Sequence, residues 1–215
     1  MPTQTFFNLP DEKRERIIDV AIREFATYSF DQSSIARIIE NAGIPRGSFY
    51  QYFENLKDLY KYIFDLAGER KLQYFNIMVP HFHGEGFEFF QTLHELFAAG
   101  IRFAQENPEL LAIGNKFYKE TNSALRDEIL GEQLPKANNI YAEMIRKGIE
   151  SGQLDPKIDL AVATLFMNSL NTAFSDYYLS LGPESLNAFS DENTLLPIVD
   201  KMLYLLANGL KNTSN

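Results

Sequence analysis

An all-α fold is predicted by three observations. Apolar residues recur at three- and four-residue intervals in nearly every segment, the alternation of a half-buried strand is almost absent, and Gly, Pro and short polar tracts cut the chain into helix-sized lengths. A hydrophobic share of 45% with 13% aromatics supports a packed core and excludes a disordered chain. The 215 residues suffice for one large domain or two small ones.

A first helix is expected over about Pro10–Tyr28. Proline suits a first turn, where its missing N–H would be unpaired anyway, and Asp11 and Glu12 complement the positive helix end. Ile17, Ile18, Ala21, Ile22 and Phe25 form its apolar stripe. The link Ser29–Gln32 breaks it. Ser33 is the expected N-cap of a second helix through Ala42, with Ile35, Ile38 and Ile39 inward. Gly43 supplies a left-handed stop. A third helix follows over about Pro45–Phe53, short and crowded with small, polar and aromatic residues.

Longer helices are expected near Leu56–Met78, Phe87–Gln105, Glu109–Tyr118, Ser123–Ser151, Ile158–Leu181 and Leu195–Leu210. Breaks fall at Pro80 with Gly84 and Gly86, at Asn107-Pro108, Gly152, Asp155-Pro156 and Gly182-Pro183, and the stretch Gly131–Pro135 is a candidate split. The domains divide as residues 1–56, a three-helix head, and residues 57–215, a larger helical body that shares the Leu56–Met78 helix with the head.

Residues 33–59 read as a helix-turn-helix whose second helix enters a DNA major groove. Such a helix needs small residues where it approaches DNA, side chains that reach base edges, and apolar residues that lock it down. Gly47 and Ser48 permit close approach. Arg46 and Gln51 can reach base edges, arginine favouring guanine and glutamine adenine. Tyr50 and Tyr52 can donate to phosphate. Phe49 and Phe53 share one face and can pack on Ile38 and the first helix. Spacing alone fits an ordinary surface hairpin equally well.

The net charge of −9 is unusual for a DNA binder, but it is unevenly spread. Residues 1–80 hold 10 Lys+Arg and 11 Asp+Glu; residues 81–215 hold 10 and 18 and carry nearly all the excess. Within Ser33–Lys57, Arg37, Arg46 and Lys57 face Glu40 and Glu54. This is no basic patch, so binding must also use geometry, helix N-termini and hydroxyl contacts.

From Ala42 to Phe53 the chain fits A-G-[I/V]-x-x-G-x-[F/L]-Y-x-[Y/H]-F. With Phe25, Ser33-Ser34-Ile35 and Leu59, this resembles the DNA-binding signature of the tetracycline-repressor (TetR) family over Pro10–Leu59. The resemblance implies that Ser33 and Ser34 touch phosphate, Arg46 and Ser48 face bases, Tyr50 meets phosphate or a base, and Tyr52 phosphate. Two departures subtract contacts. Pro45 stands where the family often has Ser or Thr. Leu56 stands where it usually has lysine, and the adjacent Lys57 points about 100° away around the helix. The rest of the chain resembles the family only in being all-helical, of similar length, and ending in two apolar helices.

In that family the C-terminal domain dimerises and holds an inducer. Here Ala161, Leu165, Phe166, Leu170 and Phe174, with Leu196, Val199, Leu203, Leu206 and Leu210, can build a four-helix homodimer interface. The alternative is that both stripes are intramolecular core. A cluster of Phe89, Phe90, Leu93, Phe97, Phe103, Phe117, Tyr118, Tyr141, Met144, Phe166 and Tyr177 suggests an aromatic-lined pocket. From it come eight candidate ligand residues, Phe89, Phe97, Phe103, Phe117, Tyr118, Tyr141, Phe166 and Tyr177, for an apolar or aromatic small molecule.

His81 and His83, with Glu85, Glu88 and His94, invite a metal reading, but two loop histidines beside Gly84 and Gly86 are usually incidental. No metal or cofactor is expected. No nucleophile elbow, P-loop or dinucleotide fingerprint occurs, so an enzyme is not expected. Cysteine is absent, which excludes disulfides and thiolate metal sites. With no apolar run near membrane-span length and no signal peptide, a soluble cytoplasmic protein is expected. The expected function is a ligand-responsive transcriptional regulator, a repressor, reading a palindromic double-stranded DNA operator as a homodimer. The alternatives are a helical small-molecule-binding protein and a helix-turn-helix module acting through a protein partner.

Overall fold

The computed structural model describes residues 1–82, 86–180 and 192–209. Every regular element among them is helical: α1 (Gln4–Phe7), α2 (Asp11–Thr27), α3 (Ile35–Ala42), α4 (Arg46–Tyr52), α5 (Leu56–Met78), α6 (Phe89–Glu106), α7 (Pro108–Tyr118), α8 (Ser123–Glu150), α9 (Leu160–Ser180) and α10 (Glu192–Asn208). None is long and apolar enough to cross a membrane. Short 3-10 turns lie at Phe30–Gln32 and Pro80–Phe82.

The chain forms two compact units. The first joins Met1–Arg70 to Asn107–Gln133, and the second joins Lys71–Glu106 to Leu134–Asn215. The first unit therefore takes α5 as far as Arg70, inside the helix the two domains are expected to share. The reason is packing: α7 lies on α2 and contributes Ile113 and Phe117 to the first core, where Phe117 meets Phe64 at 4.8 Å. α8 runs unbroken through Gly131 and Pro135.

The first core is built as the apolar pattern demands. Ile17, Ala21 and Phe25 of α2 meet Ile38 of α3, Phe49 of α4, Phe53 and Leu59. Pro10 sits at the N-cap of α2, one position earlier than a first-turn residue, with Asp11 and Glu12 in the first turn. α5 starts on a reciprocal cap: Asn55 Oδ1 accepts the Asp58 N–H at 2.9 Å, and Asp58 Oδ2 accepts the Glu54 N–H at 3.2 Å. α1 lies outside every expected element. Its Phe6 is fully buried among Tyr52, Phe53 and Tyr62.

α3 starts one residue later than expected. Ser34 holds the N-cap position but its side chain caps nothing. Ser33 Oγ instead donates to the Ser29 carbonyl at 2.9 Å. The Ser34 N–H donates to Glu24 Oε1 at 2.7 Å, so a carboxylate from α2 replaces the serine cap. Glu24 is only 6% exposed. Arg37 neutralises it through Nη2 at 2.6 Å and Nε at 3.1 Å, and lies 4.0 Å over the Tyr28 ring. The hydrogen bond to Glu24 holds the Arg37 guanidinium above its ordinary pKa.

Gly43 ends α3 at φ 64 and ψ 38, with its own N–H on Glu40 and the Ile44 N–H on the Ile39 carbonyl at 3.0 Å. A Cβ there meets nothing within 4 Å. Gly43→Ala is therefore expected to destabilise the first unit by about 1 kcal/mol, through backbone strain alone. Gly43→Asn is expected to cost less, since asparagine tolerates this conformation. Urea titration checks both.

The second core gathers Leu93 and Phe97 of α6, Met144 and Ile145 of α8, Met167 and Phe174 of α9, and Leu195 and Val199 of α10. α6 and α10 pack against each other.

Candidate nucleic-acid interface

α4 is seven residues long, and its two faces differ completely. Phe49 and the following Phe53 are fully buried, their rings 5.6 Å apart. On the opposite face Pro45, Arg46, Gly47, Tyr50 and Gln51 are exposed and Ser48 is half-buried. Tyr50 is 49% exposed, a large aromatic left in solvent. The Arg46 side chain makes no hydrogen bond or ion pair among the described residues. A donor fork, an amide and a phenol therefore project from one short helix with the charge uncommitted.

Gly47 strengthens this reading. A helical glycine costs about 1 kcal/mol relative to alanine. A Cβ at position 47 meets nothing within 4 Å, so the subunit's own packing does not demand glycine there. Bare backbone on an outward face leaves room for a close external neighbour.

The remaining candidates fall differently. Pro45 caps α4 in extended conformation at φ −62 and ψ 147. Tyr52 is 4% exposed. Its ring packs 6.0 Å from Phe6 with the Lys13 ammonium 6.0 Å from its centroid, so its main work is in the core. Position 52 follows Phe49 by three and so shares its inward face, a cue that outweighs the polar hydroxyl. Ser33 and Ser34 are half-buried beside the Glu24–Arg37 pair. Lys57 is already held: Glu128 of α8 takes Lys57 Nζ at 3.0 Å and Lys61 Nζ at 3.1 Å. Those two hydrogen bonds, Lys57 first, keep the Glu128 carboxyl below its ordinary pKa. Glu128 was not distinguishable in the sequence, because a contact across 71 residues leaves no local pattern.

The eight aromatic ligand candidates divide between the two units. Phe117 and Tyr118 belong to the first unit, where Phe117 is core and Tyr118 is exposed. Phe166 and Tyr177 point outward from α9. Phe89 is buried against Gly148, its N–H donated to Gln153 Oε1 at 2.6 Å. Phe97 meets Phe174 at 5.4 Å, and Phe103 meets Tyr74 at 5.5 Å. Helical periodicity marks apolar faces without saying which neighbour each face meets. A cavity of about 10 Å³, room for one water, lies instead among Leu72, Phe75, Asn76, Val79, Phe82, Leu96 and Ile140.

Burial pushes the Tyr141 hydroxyl up to about 12. Above about pH 10 the unfolded tyrosine ionises while the folded one stays neutral, so stability falls as pH rises from about 10 through 12. Tyr141→Phe is expected to flatten that loss in chemical denaturation followed across this range.

His94 Nε2 lies 3.2 Å from Asp200 Oδ1, and no metal-holding cluster of three or more His, Asp or Glu exists among the described residues. His83 and Glu85 lie outside the described residues.

Residues 17–63 match the family model for bacterial regulatory proteins of the tetR family, and residues 86–211 match a tetracyclin repressor-like C-terminal domain. The chain is 31% identical to a TetR family transcriptional regulator from Chloroflexus aurantiacus of known crystal structure, covering 97% of this chain and 98% of that one, with a TM-score of 0.66. It is 22% identical over 201 residues to the fatty acid metabolism regulator protein of Bacillus subtilis, covering 93% and 96% of the two chains. The crystal structure of the transcriptional regulator FadR from Bacillus subtilis in complex with stearoyl-CoA shares the fold at 21% identity and a TM-score of 0.69, covering 92% of this chain and 99% of that one. A 36% match to the regulator AcrR of Shigella flexneri spans 67 residues, 29% of this chain and 31% of that protein.

Proposed function

The chain belongs to the tetR family of bacterial regulatory proteins, and from that premise we propose that it is a cytoplasmic homodimeric repressor that reads a palindromic operator through α4 and releases it on binding an apolar-tailed small molecule. It is a DNA-binding transcriptional regulator. The observation that carries the DNA-reading role is the division of α4, with Phe49 locked inward and Arg46, Gly47, Tyr50 and Gln51 outward. Arg46 and Gln51 read base edges, Ser48 lies close enough to assist, and Tyr50 fixes register on a phosphate. Ser33, Ser34 and Pro45 support the docking more than they specify sequence, while Tyr52 and Lys57, held by the core and by Glu128, steady the helices around them.

The proposed dimer surface is the outward face of α9 and α10. Val162, Leu165 and Phe166 of α9 and Tyr204 and Leu205 of α10 are exposed. Large apolar side chains repeated at helical spacing on one face mark a partner surface. A second copy is the occupant, because a two-fold operator requires two heads.

The ligand enters the second unit. The cavity beside Phe75 and Leu96, about 10 Å³, is too small for an inducer, so a ligand bound there selects a state in which the surrounding α5 and α6 side chains have parted. An apolar lining favours a hydrocarbon tail, and a long-chain acyl thioester is the compound class to test first. Stearoyl-CoA is expected to raise the melting temperature and CoA alone to leave it unchanged.

Sequencing duplexes captured from random pools tests the central reading. An inverted-repeat motif is expected, with Arg46→Ala relaxing preference at one base position per half-site by about tenfold. Pools that enrich no motif would refute sequence reading by α4.

A further inference from the structure

We infer that Thr3 and Phe6 are positioning residues for the recognition helix, clasping its C-terminal end from the opposite end of the head's sequence. This rests on the DNA-reading role of α4 proposed above.

An α-helix of any length leaves its last four carbonyls without a partner inside the helix. In α4 the final two are taken by Thr3. Its backbone N–H donates to the Tyr52 carbonyl at 2.9 Å, and its Oγ1 donates to the Gln51 carbonyl at 2.6 Å. Two consecutive orphan acceptors are thus met by one residue almost fifty positions away. Phe6 anchors the clasp. It is fully buried, with its ring 6.0 Å from Tyr52, 4.8 Å from Phe53 and 5.5 Å from Tyr62. The Leu9 N–H returns to the Phe6 carbonyl at 3.2 Å, closing the segment before α2 begins.

The consequence falls on Gln51. Its carbonyl is the one held by the Thr3 hydroxyl, while its side chain is on the exposed face. Fixing that carbonyl fixes the pitch of the final turn, and with it where the Gln51 amide and the Tyr50 ring point. Bidentate base recognition tolerates little angular freedom, so fraying of this turn degrades sequence discrimination before it degrades general affinity.

The test uses the full chain with Thr3→Val, which keeps shape and backbone donor but removes the hydroxyl, Thr3→Ser, which restores it, and Phe6→Leu. Hydrogen exchange is followed at the amides of 50–53, and affinity is measured for the duplex that wild type selects from random pools and for its scrambled counterpart. Thr3→Val is expected to speed exchange and weaken binding to the selected duplex, each about fivefold, leaving the scrambled duplex unchanged. Phe6→Leu acts in the same direction, and Thr3→Ser reverts both readouts. Wild-type exchange and affinity in Thr3→Val, or equal losses on both duplexes, would overturn the positioning role. A wild-type protein that enriches no duplex overturns the DNA-reading premise itself, a result distinct from either.

Discussion

Leu165→Glu combined with Phe166→Glu yields a folded monomer that has lost operator binding by at least about a hundredfold. Both residues are exposed in the isolated subunit, Leu165 at 67% and Phe166 at 51%, so charging them leaves the second core untouched. Met167, the next residue, is buried in that core and lies on the opposite side of α9. In a two-fold dimer the same patch meets itself, so two substitutions place four carboxylates together at a desolvated surface. Like charges in such a setting cost several kcal/mol, enough to dissociate an ordinary dimer. A single head then makes half of the phosphate and base contacts. Each 1.4 kcal/mol lost is a factor of ten, so losing one head's contacts readily exceeds a hundredfold. Sedimentation velocity reports the mass and a titration of the selected duplex the affinity. Persistence of a dimer in the double variant would place the interface elsewhere.

Phe49→Ala removes about 3–5 kcal/mol from the first unit and abolishes specific binding with it. The ring is fully buried, 5.6 Å from Phe53, on a helix too short to stand without its apolar anchor. Tyr50→Ala, one residue along, is the control. Its ring faces solvent, so stability changes by less than about 0.5 kcal/mol while affinity for all duplexes drops. Calorimetry separates the two outcomes, because the two compact units can melt as distinct transitions. A Phe49→Ala protein that keeps both its first transition and its selectivity would show that α4 is held by something other than its inward face.

Sequence pattern reached far into this fold. α5 spans the expected Leu56–Met78 with Pro80 just beyond it, while α9 and α10 lie within one to three residues of the bounds their apolar spacing implies. The outward face of α4 was legible too, because Arg46, Gly47, Tyr50 and Gln51 have no apolar reason to be there. What escaped was long-range or short-segment. α1 spans four residues, below the length at which periodicity can speak. The replacement of a serine cap by Glu24 and the pairing of Lys57 with Glu128 depend on tertiary placement. Aromatic content identifies core material and not its arrangement: Phe117 serves the first unit and Phe166 the outer surface.

Arg37 and Lys57 are both committed to internal carboxylates, Glu24 and Glu128. Neither charge is then free to displace a counterion when each head docks, and log K against log salt is expected to have a shallower slope than with both unpaired, which a salt titration of operator binding checks. Such a switch stays seated when the ionic content of its surroundings climbs, where a heavily cationic one would drift off its target. Its occupancy is then expected to follow sequence more than ionic strength.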